Sequence, residues 1–292
     1  MIKRTLCFFS AMLIACSLVA CDKAPEKNEN NSNSLKIVTS FYPVYVATVN
    51  LTDGVSGVSV SNLIDADFGC LHDYMLTPKD IEKVSGANLF IASGKDMESF
   101  VGNVSLGIPR LELLDCGEDI RHTLEEDGRA NSHYWMNIEN AIDQCDKIKR
   151  TLCRIDPMNT DKYEKNAEAY KAKLGKLIED ANARVSKLKD DKIAVYHDSF
   201  EYFADEFGIR TVTVTDANIK DGSYKRLLSG VEYILVQEDL ADAKEVQKIA
   251  KETGCEIRTI NTIVTGEISE LSKDDYVRCI ENNLAVLEEI LG

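Results

Sequence analysis

The sequence predicts an α/β protein with two lobes, each containing a mostly parallel sheet, joined by a single long, rigid helix. Short apolar runs of strand type alternate with helical segments in both halves of the chain. This alternation is typical of parallel sheets covered by helices. Between the halves, residues 159–189 lack proline and contain one glycine, which favours one continuous helix. Ligands of open α/β lobes bind beyond the carboxyl ends of the strands, so we expect the site in the cleft between the lobes.

Residues 1–20 are predicted to be a signal peptide. Lys3 and Arg4 precede a mostly apolar run that ends at Ala20, and the run falls short of the about 20 residues that a membrane span needs. Cys21 follows a small residue, as at a bacterial lipoprotein cleavage site, where the cysteine thiol carries the lipid. An ordinary secretory signal and an uncleaved anchor are the alternatives. We therefore expect an extracytoplasmic protein, anchored to the bacterial membrane through lipid on Cys21.

Residues 21–34 are polar and rich in Asn and Ser, so they are predicted to be a flexible tether. The first lobe is then expected over residues 35–158. Its predicted strands are Leu35–Phe41, Val58–Ile64, Leu89–Ala92 and Arg110–Leu114. Helices are predicted at Pro43–Leu51 and after Thr77, where Pro78 suits a first helical turn.

The predicted linking helix, residues 159–189, has apolar residues at steps of three and four, which indicates an amphipathic helix. At 1.5 Å per residue it would span roughly 45 Å. The second lobe is expected over residues 190–292. Its predicted strands are Lys192–Tyr196, Ile209–Val214, Tyr233–Val236 and Glu256–Ile260. Its predicted helices are Phe200–Phe207, Ala241–Thr253 and Asp274–Leu291.

The charge and the cysteines narrow the possible partners. The formal net charge of −15 argues against nucleic acid and against an anionic membrane surface as partners. Of the nine cysteines, those beyond Cys21 are widely and irregularly spaced, unlike a small disulfide framework or a CxxC zinc site. Disulfides and free buried thiols both remain open.

Three of the four histidines fall at a strand exit or a helix entry. His72 follows the second predicted strand, His133 precedes a helix, and His197 comes directly after a strand of the second lobe. Neutral imidazole is the commonest metal ligand and suits Zn²⁺. An ordinary loop histidine is the alternative for each one alone, but the three together predict a transition-metal site between the lobes.

Three segments carry a family resemblance. They are His72-Asp73-Tyr74 with Thr77-Pro78 and Asp80, then His133-Tyr134-Trp135, then His197-Asp198-Ser199-Phe200 with Tyr202-Phe203. In this order they resemble the PHxYxxxPxD, PHxW and HDAFxYF segments of the zinc- and manganese-binding lipoproteins of bacterial ABC importers, of the ZnuA/TroA type. The resemblance implies a metal held by His72 and His133 from the first lobe and His197 from the second, and a helix that limits lobe closure.

Departures from the family pattern affect the fourth ligand. Asn261 stands where relatives commonly supply a carboxylate, and an amide oxygen is a poorer ligand for Zn²⁺. Water, or a loop acid such as Glu267, would then complete the shell. Cys70 replaces an acidic residue and could reach the metal beside His72, although a buried or disulfide-bonded cysteine is the alternative. Replacing a carboxylate by the neutral amide of Asn261 removes a negatively charged oxygen ligand, which favours Zn²⁺ over Mn²⁺.

The resemblance implies a monomer that captures Zn²⁺ and delivers it to an ABC permease without catalysis. A zinc hydrolase or lyase is an alternative, because three histidines and a water also form catalytic sites. However, the sequence has no HExxH motif. A protein that binds a metal complex, such as a siderophore or haem, is a third possibility, and three bare imidazoles favour a naked ion instead. The acidic segment Gly117–Asn131, with His122, is predicted to be a solvated surface loop, and loose recruitment of metal is the alternative.

Overall fold

The computed structural model of the protein describes residues 34–292, except residues 70, 72, 73, 109, 127 and 128. The predicted signal peptide, Cys21 and the tether up to residue 33 lie outside the described residues. So do Cys70 and His72. The bounds of the signal peptide, tether and lobes therefore stay predictions.

The first lobe is built on a four-stranded parallel sheet with the strand order β2-β1-β3-β4. Its elements are β1 (Leu35–Thr39), α1 (Tyr42–Leu51), β2 (Val58–Asn62), α2 (Pro78–Ser85), β3 (Leu89–Ala92), α3 (Val101–Gly107), β4 (Glu112–Asp115), β5 (Glu125–Glu126), β6 (Arg129–Ala130) and α4 (Ile138–Ile155). In the register, Ile37 pairs with Val60 of β2 and with Leu89 of β3. All four residues of β3 are buried, as expected for a parallel strand covered on both faces.

The second lobe repeats this topology. After α5 (Thr160–Val185), which links the lobes, its elements are β7 (Ile193–Tyr196), α6 (Glu201–Glu206), β8 (Thr211–Val214), α7 (Asp216–Asp221), α8 (Tyr224–Leu227), β9 (Tyr233–Gln237), α9 (Lys244–Thr253), β10 (Glu256–Ile260) and α10 (Asp275–Leu291). Its parallel sheet has the order β10-β9-β7-β8. In both sheets the first strand lies between the second and the third. The second and third strands are therefore added on opposite sides of β1 and of β7. At such a change in strand order, α/β sheets open a crevice for ligands.

The predicted long helix is confirmed as α5, which spans Thr160–Val185 and is about 39 Å long at 1.5 Å per residue. One face is buried, as the periodicity predicts, through Tyr163, Ala167, Tyr170, Leu174, Leu177 and Ala181. This face packs against α4, α10 and α1, and one continuous apolar core includes residues of both lobes and of the helix. Near its end, Arg184 pairs with Glu288 of α10 at 2.7 Å. The helix is therefore packed along its length.

Several short elements escaped prediction. Helices α3, α7 and α8 have seven, six and four residues, too few to show a helical period. The segment Gly117–Asn131 contains the antiparallel pair β5–β6. Among the described residues, no helix is both long and apolar enough to span a membrane.

The cysteines that the structure describes beyond residue 34 are free thiols, and all but Cys153 are buried: Cys116, Cys145, Cys255 and Cys279. Burial raises the pKa of Cys116 well above its usual value. A neutral, buried thiol is a poor nucleophile and a poor metal ligand. Of the two possibilities left open by the sequence, free buried thiols therefore hold for these positions.

Candidate metal centre

His133 lies at the entry to α4, on the side of the first lobe that faces the second, and it is 0% exposed. Its carbonyl oxygen accepts the Met136 N–H at 3.0 Å in a short 3₁₀ turn. The neighbouring Tyr134 hydroxyl donates to the Ser93 carbonyl at 2.8 Å, just beyond β3. The His133 ring also packs 5.3 Å from the Trp135 ring. A short turn, a hydroxyl and an aromatic ring therefore fix the position of this imidazole.

His197 follows β7 directly, and its backbone has φ 74° and ψ 151°. A positive φ is uncommon for a residue other than glycine, and such strained positions concentrate at functional sites. The side chain is 31% exposed. Its ring centroid lies 5.0 Å from that of His133, with the rings nearly perpendicular. The structure thus brings one predicted histidine of each lobe together.

Asp198 joins these two histidines. Its Oδ1 lies 2.8 Å from His197 Nδ1 and 3.4 Å from His133 Nδ1. Ligand atoms of His133, His197 and Asp198 all fall within 4.8 Å of one another, and among the residues described this is the group of three suited to hold a metal ion. Imidazole and carboxylate are ligands that Zn²⁺ accepts. Asp198 was not among the residues predicted to hold the metal, although its position beside His197 at a strand exit was a usable signal.

His72 and Cys70 lie outside the described residues, but residues around them are described. Leu71 is fully buried, and its carbonyl accepts the Tyr74 N–H at 3.1 Å. Gly69 has φ +89°, and a Cβ on it would lie 2.9 Å from Oδ2 of Asp239. This loop of the first lobe therefore approaches the second lobe so closely that a Cβ at position 69 would displace the Asp239 carboxylate.

The two described candidates for a fourth ligand are Asn261 and Glu267. Asn261 Oδ1 accepts the Ile263 N–H at 2.6 Å, and its Nδ2 lies 3.4 Å from Glu238 Oε2. The side-chain oxygen that would coordinate the metal is thus used in a local turn. Glu267 is exposed, and its backbone carbonyl accepts the Tyr42 hydroxyl at 3.1 Å. Glu267 does not belong to the group formed by His133, His197 and Asp198.

The acidic segment Gly117–Asn131 contacts the second lobe rather than standing free in solvent. The Tyr202 hydroxyl of α6 accepts the Leu124 N–H and donates to the Asn131 carbonyl, both at 3.0 Å. His122 Nε2 lies 2.8 Å from Asp205 Oδ2. Glu118, Asp119 and Glu125 are exposed, as the composition predicts, whereas α6 covers the other side of the loop.

Two further contacts join the lobes near His133. The Trp135 indole N–H donates to the Thr262 carbonyl at 3.0 Å. Glu206 of α6 accepts the Ile138 N–H at 2.7 Å, at the N-terminus of α4, where the helix dipole favours a carboxylate. Burial nevertheless raises the pKa of Glu206 to about 7. Both contacts hold the second lobe against the segment that carries His133.

A buried carboxylate supports the first lobe behind this segment. Glu98 is 5% exposed and accepts the N–H groups of Ser93 and Gly94 at 2.8 and 2.9 Å. Burial raises its pKa to about 7, although these hydrogen bonds oppose the shift. Because Ser93 also accepts the Tyr134 hydroxyl, Glu98 helps to shape the backbone against which the His133 segment rests.

Nearly the whole length of the chain is similar in sequence to metal-transport proteins. The chain is 26% identical over 314 residues to the iron ABC transporter substrate-binding lipoprotein MtsA of Streptococcus pyogenes serotype M1, covering 99% of each protein. It is also 26% identical over 309 residues to the high-affinity zinc uptake system protein ZnuA of Bacillus subtilis, covering 96% of each.

Solved structures share the fold. The manganese complex of the solute-binding protein FpvC from Pseudomonas aeruginosa has a TM-score of 0.76 at 24% identity, with 88% of this chain and 98% of that chain covered. Zn(II)-bound AdcA from Streptococcus pneumoniae has a TM-score of 0.74 at 24% identity. There, 88% of this chain matches 57% of AdcA, so the likeness covers little more than half of that protein.

The family of the periplasmic component A of zinc-uptake complexes, ZnuA, matches residues 37–290. This range includes both sheets, α5, and the segments that carry His133 and His197. The family comprises substrate-binding components of transporters rather than enzymes. The chain belongs to this ZnuA family and is a metal-binding, substrate-binding protein of a bacterial ABC importer.

Proposed function

We propose that the cargo is Zn²⁺, held between the lobes by His72, His133 and His197. The observation that carries the proposal is the convergence of His133 and His197, whose ring centroids lie 5.0 Å apart although the residues belong to different lobes. Asp198 adds negative charge beside both imidazoles, which favours a divalent cation at this position. A zinc uptake protein among the relatives supports the same choice of metal.

The preference for Zn²⁺ over Mn²⁺ rests on the donor types. Imidazole suits Zn²⁺, whereas Mn²⁺ is better served by carboxylate, carbonyl and water oxygens. Asn261 is a neutral amide, and its Oδ1 already accepts a backbone N–H at 2.6 Å. We therefore propose that water, or a carboxylate such as Glu267, fills the fourth position, with Cys70 as the thiol alternative. We propose that the protein binds and releases the metal without catalysing a reaction.

The transport role requires release as well as capture. His133 and His197 reside in different lobes, so separating the lobes would remove one imidazole from the other and weaken the site. We propose that the chain works as a monomer, held at the outer face of the membrane by lipid on Cys21. The permease would then receive the metal when it opens the lobes.

The test replaces each histidine singly and measures Zn²⁺ affinity by competition with a chelating indicator. His72→Ala, His133→Ala and His197→Ala are each expected to weaken binding at least tenfold. His122→Ala is the matched control, because His122 contacts Asp205 at the exposed loop and its loss should leave affinity within about twofold. Unchanged affinity in any two of the three site variants would refute the assignment.

A further inference from the structure

Asn131 lies between the two lobes at the metal centre and is 2% exposed. Its Oδ1 accepts the backbone N–H of His133 at 2.9 Å and lies 3.1 Å from His133 Nδ1. Its Nδ2 donates to the backbone carbonyl of Asp198 at 2.9 Å and lies 3.5 Å from Glu201 Oε2. One amide therefore contacts both of the segments that carry His133 and His197.

The orientation of this amide follows from its backbone partners. A backbone N–H can only donate and a backbone carbonyl can only accept, so the side-chain oxygen must face His133 and the nitrogen must face Asp198. In the reverse orientation, the Nδ2 donor would face the backbone N–H of His133, and Oδ1 would face the Asp198 carbonyl and the Glu201 carboxylate. The amide is thus fixed by partners whose roles do not change with pH or tautomer.

This orientation determines the tautomer of His133. Asn131 Oδ1 cannot donate, so the His133 Nδ1 beside it at 3.1 Å must carry the ring proton to make a hydrogen bond. The Asp198 carboxylate, 3.4 Å from the same nitrogen, is a second acceptor on that side. In a neutral imidazole with a proton on Nδ1, the lone pair is on Nε2, the nitrogen then available to a metal.

We propose that Asn131 is a positioning residue for metal binding. It holds His133 in the Nδ1–H tautomer and ties that imidazole to the strand exit that carries His197. The inference rests on the proposed function, since it assumes that His133 is a ligand. Outer partners of this kind orient a metal-binding histidine, and their loss typically reduces metal affinity 10- to 100-fold.

This arrangement links closure of the lobes directly to the geometry of the metal-binding side chains. The bond from Asn131 Nδ2 to the Asp198 carbonyl exists only while the two segments are in contact. When the lobes separate, Asn131 loses that partner and the two ligand-bearing segments move independently. The orientation of His133 and the approach of His197 are therefore set together, by one side chain.

The experiment uses the full chain with ¹⁵N-labelled histidine, so that only four imidazoles contribute signals. The His133 signals are assigned by their loss in His133→Ala. In the metal-free protein we expect the Nδ1–H tautomer for His133. In Asn131→Ala we expect a larger share of the Nε2–H tautomer, because only the more distant Asp198 carboxylate then remains as an acceptor for Nδ1. Asn131→Asp keeps an acceptor for His133 and should retain the tautomer. A merely structural role for Asn131 would not change this spectroscopic signature.

Zn²⁺ affinity is measured on the same variants. Asn131→Ala should bind Zn²⁺ 10- to 100-fold more weakly, and Asn131→Asp should lie closer to the wild type. Asn166→Ala is the matched control, since its Nδ2 bonds the Leu51 and Asp53 carbonyls away from the metal centre. If Asn131→Ala does not fold, Asn131→Leu, which is close in volume, removes the same polar atoms and is held to the same expectations.

Two failures are distinguishable. Zn²⁺ affinity that survives His133→Ala would remove the proposed site and this inference with it. Affinity that falls in His133→Ala but stays within twofold of wild type in Asn131→Ala, with an unchanged tautomer, would overturn the role of Asn131 alone.

Discussion

Trp135 is the single tryptophan of the chain, and Trp135→Phe tests how strongly the two lobes are held together beside the candidate metal centre. The side chain is 1% exposed and packs edge-on against Phe41 at 5.3 Å. Its indole N–H donates to the carbonyl of Thr262, a residue that is 2% exposed. The substitution keeps an aromatic ring but leaves that carbonyl without its indole donor.

The magnitude follows from these two losses. A buried acceptor left without its hydrogen bond costs about 1–3 kcal/mol, and the smaller ring leaves a cavity that adds about 1 kcal/mol. We therefore expect the free energy of unfolding to fall by about 2–4 kcal/mol. Urea denaturation should be followed by far-ultraviolet circular dichroism, because the variant has no tryptophan fluorescence.

Met158→Ala is the control for this experiment, because it also shortens a large side chain but at a position that is 89% exposed. Its effect should stay within about 0.5 kcal/mol. If Trp135→Phe also lost no more than about 0.5 kcal/mol, the contact with Thr262 would contribute nothing to stability. The two lobes would then not be held together by this contact.

Other predictions concern the core, the buried carboxylate and the fourth ligand. Leu174→Ala, on the fully buried face of α5, should lower the free energy of unfolding by about 2–5 kcal/mol, whereas Lys176→Ala on the exposed face should change it little. Because burial raises the pKa of Glu98 to about 7 from 4.5, its contribution to stability falls as pH rises between those values. Relative to the wild type, the free energy of unfolding of Glu98→Gln should therefore rise by up to about 3 kcal/mol between pH 4.5 and pH 8, as measured by urea titration. Parallel pH profiles of the two proteins would contradict this. Asn261→Asp should strengthen Mn²⁺ binding relative to Zn²⁺ in competition titrations, and an unchanged ratio would show that position 261 does not affect selectivity.

The Glu98 prediction depends on the slope with pH rather than on absolute stability. The amide of Gln replaces one of two acceptor oxygens that bond the Ser93 and Gly94 N–H groups. This loss lowers the stability of the variant by an amount that does not vary with pH. The difference between the two pH profiles therefore reports the ionisation of Glu98 alone.

The sequence predicted the long elements because their patterns are local. The strand Leu89–Ala92 is found at its predicted bounds, since a buried parallel strand is a continuous apolar run. The helix α5 follows its apolar period, with Asn159 before its first turn and an end at Val185, four residues before the predicted one. The last predicted residues leave the helix near the start of the second lobe, where no local pattern marks the boundary.

What the sequence could not predict is contact between segments far apart in the chain. Asn131 and Asp198 meet across 67 positions, and no periodicity encodes such a pairing. The acidic loop before His133 was assigned to solvent from its composition, whereas Tyr202 of α6 bonds it on one side. The proximity of His133 and His197 could be predicted because imidazoles are few in this chain and these two stand at a helix entry and a strand exit. Their supporting residues are ordinary polar types and give no such signal.

The most direct test of the account measures bound metal after equilibrium dialysis against equal concentrations of Zn²⁺ and Mn²⁺, followed by elemental analysis. The wild-type protein is expected to hold one Zn²⁺ per chain and little Mn²⁺. The double variant of His133→Ala with His197→Ala, confirmed as folded by circular dichroism, should hold neither. A preference of the wild type for Mn²⁺, or one Zn²⁺ retained by the double variant, would contradict a zinc site formed by the histidines of the two lobes.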